Sequence, residues 1–214
     1  MKGIYYINVV DCVTQFQAVF AVAGIGEAFL LPVLGHMIDA LPFTIHGFHS
    51  DNGSEYINGR VARLLEKLLI EQTKSRARRS NDNALVESKN GSVIRKHFGY
   101  SHIPKQFAEP INQLSRAYLM PYLNFHRPCF FPTTEIDDKG KAVKRYRYEN
   151  MMTPYEKLKS LPNADSVLKP GVTFKQLDKD STSMTDNEAA ALFTSQRNKI
   201  FRQIFKTKTT GLSA

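Results

Sequence analysis

The chain has 214 residues, 42% of them hydrophobic and 23% charged, which is enough to bury one sizeable core with a small appended segment. Its formal net charge of +9 suits a polyanionic partner, and its two distant cysteines, Cys12 and Cys129, argue against a disulfide framework or a structural zinc site. No apolar run approaches the roughly 20 residues of a membrane span, so we expect a cytoplasmic protein with free thiols.

Strands alternate with helices in the first part of the chain. Residues 3–10 and 15–22 predict two strands joined into a hairpin by turn residues 11–14. A helix from Glu27 to Ala40 follows, with Pro32 in its early turns and Pro42 ending it. The remaining predicted elements are a strand over 43–50, a helix over 58–70 that buries Leu68 and Leu69, an edge strand over 72–79, and helices over 84–98 and 107–125. This alternation predicts a mixed α/β sheet with helices packed on its faces.

The sequence changes character after Pro128. Thr153-Pro154 predicts a capped helix start, and Thr185 with Glu188 predicts a final helix reaching Phe205. We therefore expect a core over 1–130, a basic and helical extension over 131–206, and a disordered tail over 207–214. A basic run in the extension is explained equally well by contact with DNA or by a solvated hairpin; its members are Lys139, Lys141, Lys144, Arg145 and Arg147.

Two acidic residues occupy positions from which folded proteins commonly present catalytic carboxylates. Asp51 directly follows a predicted strand in an Asp-Asn-Gly turn, and Glu87 lies in the first turn of a predicted helix. If they meet, their oxygens suit Mg²⁺ or Mn²⁺, and a pair of such ions roughly 3.5–4 Å apart serves phosphodiester chemistry. Taken singly, Asp51 is explained by turn formation and Glu87 by its favourable place near a helix N-terminus.

Basic residues surround Glu87. Between Gln72 and Lys96 there are seven Lys or Arg residues and two acidic ones, a local balance of +5. Such side chains hold backbone phosphates independently of base sequence, and a solvated basic face is the alternative. The candidate phosphate contacts in this stretch are Lys74, Arg76, Arg78, Arg79, Lys89, Arg95 and Lys96, with Asn83 as a hydrogen-bonding neighbour.

Two motifs at a fixed interval resemble a known family. HSDNGSEY at 49–56 and NDNALVESKNGSVIRK at 81–96 resemble the second-aspartate motif and the glutamate helix of D,D-35-E integrase cores, which include bacterial insertion-sequence transposases and retroviral-type integrases. Thirty-five residues separate Asp51 from Glu87, as that signature requires. YYINVVDCVTQFQAVFAV, LNFHRP and TPYEKL extend the likeness in both directions.

The resemblance implies a fold, an activity and partners. The fold would be RNase H-like, a mixed sheet flanked by helices, and the activity metal-dependent cleavage of DNA ends followed by strand transfer. Asp51 and Glu87 would bind Mg²⁺ or Mn²⁺, two ions in the intact parent. Lys89, Asn90, Arg95 and Lys96, with Asn52 beside the aspartate, would contact DNA. The expected partners are transposon ends, target DNA and further copies of the chain, in a bacterial protein associated with the nucleoid when DNA is bound; no membrane or small-molecule substrate is expected.

The chain departs from the family pattern at its start. The family's first aspartate lies on a strand that precedes the hairpin, and Met1 falls inside or just before the second strand, so an N-terminally truncated core is expected, without its first strand or an upstream helix-turn-helix. Asp11 fits a hairpin hydrogen-bonding role better than that of a substitute ligand. Residues 3–10 would then have an unpaired edge, which predicts marginal stability.

These residues leave three candidate functions, which they favour to different degrees. The first is a transposase or integrase catalytic core, impaired by the missing aspartate. The second is a non-catalytic DNA-binding or dimerising remnant that modulates an intact transposase. The third, a nuclease acting on RNA in hybrids, is disfavoured by the helical glutamate thirty-five residues after the aspartate.

Overall fold

The computed structural model describes residues 3–50, 59–74 and 84–210. Its strands are β1 Tyr5–Val10, β2 Gln17–Val22, β3 Gly47–Ser50, β4 Glu71–Lys74, β5 Cys129–Phe130, β6 Thr133–Ile136, β7 Ala142–Arg145 and β8 Met151–Met152. Its α-helices are α1 Glu27–Ala40, α2 Gly59–Lys67, α3 Ala84–Lys89, α4 Lys96–Phe98, α5 Ala108–Leu114, α6 Pro154–Lys159, α7 Ala164–Val167, α8 Phe174–Ser181 and α9 Asp186–Thr210. Over these ranges no helix is both long and apolar enough to cross a bilayer.

Two long helices contain π-helical stretches, in which the turn is wider than in an α-helix. The first, which we call the Glu87 helix, is continuous over 84–98 and consists of α3, the π-helical segment Asn90–Arg95 and α4. The second, which we call the capping helix, is continuous over 108–126, beginning with α5 and containing the π-helical segments Ser115–Leu119 and Tyr122–His126. Their predicted bounds of 84–98 and 107–125 are confirmed to within two residues.

The strands pair two by two, and the chain is mixed α/β, as predicted. β1 and β2 form an antiparallel hairpin in which Tyr5 lies opposite Val22. β3 and β4 are parallel, with α2 in the connection between them. β5 pairs with β8 and β6 with β7, both antiparallel.

The β1–β2 hairpin lies between two hydrophobic clusters, because its side chains alternate between its two faces. Ile7, Phe20 and Val22 point into the first cluster, where α1, α2, α6 and α8 pack. Tyr6, Val19 and Ala21 point into the second, which holds the Glu87 helix, the capping helix and α9. Every residue of β2 is buried. In β1, for which the sequence predicts burial on both faces, only Ile7 is buried and the other five residues are half-buried.

The capping helix hydrogen-bonds the outer edge of β2 through its side chains. The Asn124 Oδ1 accepts from the Gln17 backbone N–H at 2.8 Å, and its Nδ2 donates to the Gln17 carbonyl at 2.9 Å. Asn112 makes the same pair of contacts with Ala21, and the Ser115 hydroxyl between them donates to the Val19 carbonyl. A buried strand edge is thereby satisfied without a further strand, since each side-chain amide replaces one rung of a ladder.

The outer edge of β1 differs from that of β2. The backbone bond from Asp11 N–H to the Phe16 carbonyl sets the register of the ladder, so Tyr6, Asn8 and Val10 direct their backbone groups away from β2. Among the described residues, β2 is the only strand that pairs with β1. Of the edge predicted to be unpaired over residues 3–10, the part within β1 has no strand partner among the described residues, whereas the Ile4 N–H before it donates to the Ile103 carbonyl.

The end of α2 corrects one prediction. Leu68 and Leu69 were expected on the buried face, but the helix ends at Lys67, Leu69 has a φ of 56° and its side chain is 89% exposed. The Ile70 N–H bonds to the Leu65 carbonyl and the Leu69 N–H to the Glu66 carbonyl, the pattern of a Schellman cap in which glycine is usual at the left-handed position. This reversal turns the chain so that Ile70, not Leu69, enters the core.

The segment after residue 130 packs into the same two clusters as the first part of the chain. Tyr155 and Leu158 of α6 join the first cluster, and Phe193 and Ile204 of α9 join the second. Both predicted caps are confirmed: Thr153 forms a capping box with Glu156, and Thr185 exchanges hydrogen bonds with Glu188. The last helix continues to Thr210, over the first four residues of the tail predicted for 207–214; residues 211–214 lie outside the described ranges.

Because of these hydrogen bonds, we expect the removal of one capping side-chain amide to lower the free energy of unfolding substantially. Asn124→Ala leaves the buried Gln17 N–H and carbonyl without partners, which should lower the free energy of unfolding by about 2–3 kcal/mol. Urea denaturation measures the loss. The control Asn198→Ala changes an exposed helical asparagine and should cost no more than about 0.5 kcal/mol. Equal effects of the two substitutions would refute the capping role.

Candidate functional site

Glu87 is presented on the protein surface from the first turn of the Glu87 helix. Its side chain is exposed, and none of the described residues is a hydrogen-bond or ion-pair partner of its carboxylate. Nearby, the Ser88 hydroxyl donates to the Leu85 carbonyl and does not compete for Glu87. The carboxylate is thus open to a ligand from solvent, as its predicted role requires.

Several predicted site residues lie outside the described part of the chain: Asp51, Asn52, Arg76, Arg78, Arg79 and Asn83. The strands that flank Asp51 in sequence are described. Ser50, the last residue of β3, pairs in register with Lys74, the last residue of β4, and the His49 Nδ1 lies 2.9 Å from the Thr73 Oγ1 across that pair. The two strands therefore end together immediately before the segments that contain Asp51 and the basic residues 76–79.

A row of side-chain amides fixes the Glu87 helix to the β1–β2 hairpin. The Gln17 Nε2 donates to the Asn8 Oδ1 at 3.1 Å, and the Asn8 Nδ2 donates to the Asn90 Oδ1 at 2.9 Å. Asn90 was predicted to contact DNA, and the structure places its side chain half-buried against β1. Asn90 follows Glu87 by three residues, so this hydrogen bond joins the hairpin to the part of the helix next to Glu87.

A second contact anchors the same helix to the segment that follows the capping helix. Lys89 is 8% exposed, and its Nζ donates to the Cys129 Sγ at 3.0 Å. The charge of Lys89 is therefore directed into the protein in this structure, whereas its predicted role was on the DNA-binding surface. The two cysteines are free, as predicted, with Cys12 exposed and Cys129 half-buried.

The last turns of the Glu87 helix carry the exposed cations predicted there. Arg95 and Lys96 are both exposed. Next to them His97 packs edge-on against Phe193 of α9, with ring centroids 5.0 Å apart. Burial, together with the smaller effect of the nearby charges of Arg127, Arg197 and Lys96, lowers the pKa of His97 to about 4. At neutral pH the positive charge of this helix end is therefore carried by Arg95 and Lys96, not by the histidine.

Asp11 has the structural role predicted for it. Its Oδ2 accepts from the backbone N–H groups of Val13 and Thr14 at 3.2 and 2.6 Å and from the Thr14 hydroxyl at 2.7 Å. A carboxylate oxygen that closes the hairpin turn with three hydrogen bonds has a full structural explanation. Asp11 is therefore a turn residue in this structure.

Asn8, Gln17 and Cys129 take part in this site and were not predicted as site residues. Asn8 and Gln17 are polar residues in strands otherwise rich in apolar side chains, and a buried polar residue in such a strand usually has a specific partner. That signal identifies them as special without identifying Asn90 as the partner. Cys129 gives no comparable signal, because its lysine partner is 40 residues away in sequence.

The chain has a relative in Sinorhizobium fredii. A stretch of 122 residues is 33% identical to a protein described as uncharacterized protein y4rM, and the alignment covers 56% of the present chain. It covers 34% of the relative, so the chain spans about a third of that protein's length. No protein-family model matches the chain. The relative's name states no activity.

The amide row predicts measurable coupling between Asn8 and Asn90. Asn8→Ala and Asn90→Ala should each destabilise the chain, and the double variant should be less unstable than the two losses added together, by about 1 kcal/mol. A double-mutant cycle from urea unfolding gives this value. As a control, Asn8→Ala combined with Asn198→Ala should be additive, because no contact joins those side chains. Additivity of the Asn8 and Asn90 changes would show that the hydrogen bond does not hold the helix.

Proposed function

We propose that the chain is the catalytic core of a DDE-type transposase or integrase, which binds DNA and uses divalent metal ions to cut and join it. The observation that carries this proposal is the presentation of Glu87. The carboxylate is exposed at the start of a helix that two buried contacts, through Lys89 and Asn90, fix to the rest of the protein. Thirty-five residues earlier in the sequence, Asp51 follows the end of a strand.

The arrangement of elements supports an RNase H-like core as the finer description of the fold. An antiparallel hairpin is followed by α1 and then by a parallel pair, β3 and β4, with α2 in the crossover. The Glu87 helix then packs beside β1, as the amide row requires. The likeness of the two sequence motifs to integrase cores agrees with this order of elements.

The chemistry of the candidate ligands fits Mg²⁺ or Mn²⁺. Both ions prefer oxygen donors, and a carboxylate supplies such oxygens together with the negative charge that a hard cation requires. Glu87 and Asp51 would hold the metal, which when bound would supply Lewis-acid activation of a phosphodiester. The contribution of the chain itself is to fix Glu87 through Asn90 and Lys89, so that the ligand is positioned before the metal arrives.

Exposed cations support DNA as the substrate. Arg95 and Lys96 extend from the same helix as Glu87, and the net charge of the whole chain is +9. Cations on this surface would hold backbone phosphates near the carboxylate and leave base sequence unread. DNA binding without metal dependence would instead favour a non-catalytic remnant that modulates an intact transposase.

Duplex binding should depend strongly on salt. If the chain neutralises about four phosphates, its affinity for a labelled duplex should fall by about 100-fold between 50 and 200 mM salt, because counterions are released on binding. Fluorescence anisotropy measures this slope. Charge reversal at Arg95 and Lys96 should weaken binding, whereas reversal at the exposed Lys175 and Lys179 of α8 should change it little. Absence of duplex binding at the lowest salt would contradict the proposal.

Metal binding should depend on Glu87. Glu87→Gln keeps the size of the side chain and removes its charge, so the affinity of the chain for Mn²⁺ in titration calorimetry should fall by about tenfold. Glu66→Gln changes an exposed glutamate of α2 and serves as the matched control. Equal Mn²⁺ affinity of the two variants would remove Glu87 from the metal site, whatever the outcome of the DNA-binding experiment.

A further inference from the structure

A short two-stranded ribbon lies in the chain between the paired strands β5 and β8. β6 and β7 pair in register, with Thr134 opposite Lys144 and Ile136 opposite Ala142. Asp137 closes the connecting turn by accepting from the backbone N–H groups of Lys139 and Lys141. We call residues 133–145 the arm.

The arm contributes nothing to either hydrophobic cluster. None of its residues belongs to the two cores, and Ile136 at its end is 69% exposed. A two-stranded ribbon exposed on both faces is marginal by itself, since few apolar contacts offset its ordering. Its retention as regular structure therefore points to a role on the surface rather than in folding.

The charges of the arm divide by face. On one face Glu135 forms ion pairs with Arg145 and with Arg147 just beyond the strand, and Arg147 also pairs with Glu149, so two carboxylates balance these two cations. On the other face and at the turn, Lys139, Lys141 and Lys144 are exposed, and none of them has an ion-pair partner among the described residues. Asp137 and Asp138 lie in the same turn, so residues 133–145 carry four cations and three carboxylates, a net charge of +1, and the three lysines are the cations without an ion pair in the described structure.

The root of the arm is tied to the candidate site. β5 and β8 pair at its base, and the Sγ of Cys129 in β5 accepts the hydrogen bond from Lys89, two residues after Glu87. The Phe130 carbonyl accepts from the Gln15 Nε2 in the hairpin turn at 2.8 Å. Tyr146 and Tyr148 follow the arm and are 61% and 84% exposed. The base of the arm is therefore joined through Lys89 to the helix that carries Glu87.

We propose that the arm binds double-stranded DNA by lying in the major groove, with Lys139, Lys141 and Lys144 against the phosphates. The proposal rests on the proposed function, because the same duplex would reach Glu87. A two-stranded ribbon fits a groove about 12 Å wide, and each of the four-residue strands extends about 13 Å along it. The three lysine ammonium groups are exposed and available to phosphates, whereas the Asp137 carboxylate in the same turn accepts hydrogen bonds from the backbone N–H groups of Lys139 and Lys141.

The test compares two variants of the full chain that lose the same charge. Lys139→Gln, Lys141→Gln and Lys144→Gln together remove three cations from the arm. Lys175→Gln, Lys179→Gln and Lys199→Gln together remove three exposed cations from α8 and α9. The arm variant should lose at least about tenfold in duplex affinity, and the slope of log affinity against log salt should become shallower by about 2–3, whereas the control should change little. Urea melts of both variants should match that of the unchanged chain, which confirms folding.

A second measurement locates the arm on the duplex. Guanine N7 lies in the major groove, so the unchanged chain should protect it from methylation by dimethyl sulfate, and the arm variant should lose that protection. Equal affinities of the two variants, or protection that survives in the arm variant, would overturn the role of the arm and leave the proposed function standing. Failure of the unchanged chain to bind duplex at low salt would overturn both, and binding to anionic lipid vesicles in place of duplex would identify a membrane surface as the partner.

Discussion

Burial of the β1–β2 hairpin requires hydrogen bonds for the outer edge of β2, and the capping helix provides them. Gln17, Val19 and Ala21 direct backbone groups away from β1 into an environment from which water is excluded. Each unsatisfied group there would cost about 1–3 kcal/mol. With Asn112 and Asn124 in place the hairpin can lie between two hydrophobic clusters, to which α1, α2, α6 and α8 contribute on one side and the Glu87 helix, the capping helix and α9 on the other.

The position of the Glu87 helix, which carries the candidate site, depends on contacts with the buried hairpin. Gln17 belongs to the capped strand, yet its side chain begins the amide row that passes through Asn8 to Asn90. Gln17 thus hydrogen-bonds the capping helix through its backbone, and its side chain is joined through Asn8 to the Glu87 helix. A rigid hairpin is what allows an exposed glutamate to be held in place, because the helix that carries it has both a hydrophobic anchor at Val93 and a polar anchor at Asn90.

The two outer edges of the hairpin differ in their hydrogen bonding, and this difference bears on the stability of the protein. The β2 edge is closed by side chains, whereas the edge formed by Tyr6, Asn8 and Val10 has no strand partner among the described residues. Such an edge is a template for pairing with another extended segment. The Glu87 helix lies beside it and covers part of β1, which the bond between Asn8 and Asn90 fixes. Stability and the geometry of the candidate site therefore depend on the same contacts.

The sequence by itself determined the features whose causes are local. The bounds of α1 at Glu27 and Ala40, the capping boxes at Thr153 and Thr185 and the turn closed by Asp11 each depend on residues within a few positions of one another. It also identified Glu87 as a surface carboxylate at a helix start. Tertiary structure alone decided that Asn124 pairs with Gln17, 107 residues away, that Asn90 faces Asn8, and that Lys89 is buried against Cys129. An amide or an ammonium has the same local sequence signal on a surface as in a core, and only the packing of distant elements determines whether water or another side chain is its partner.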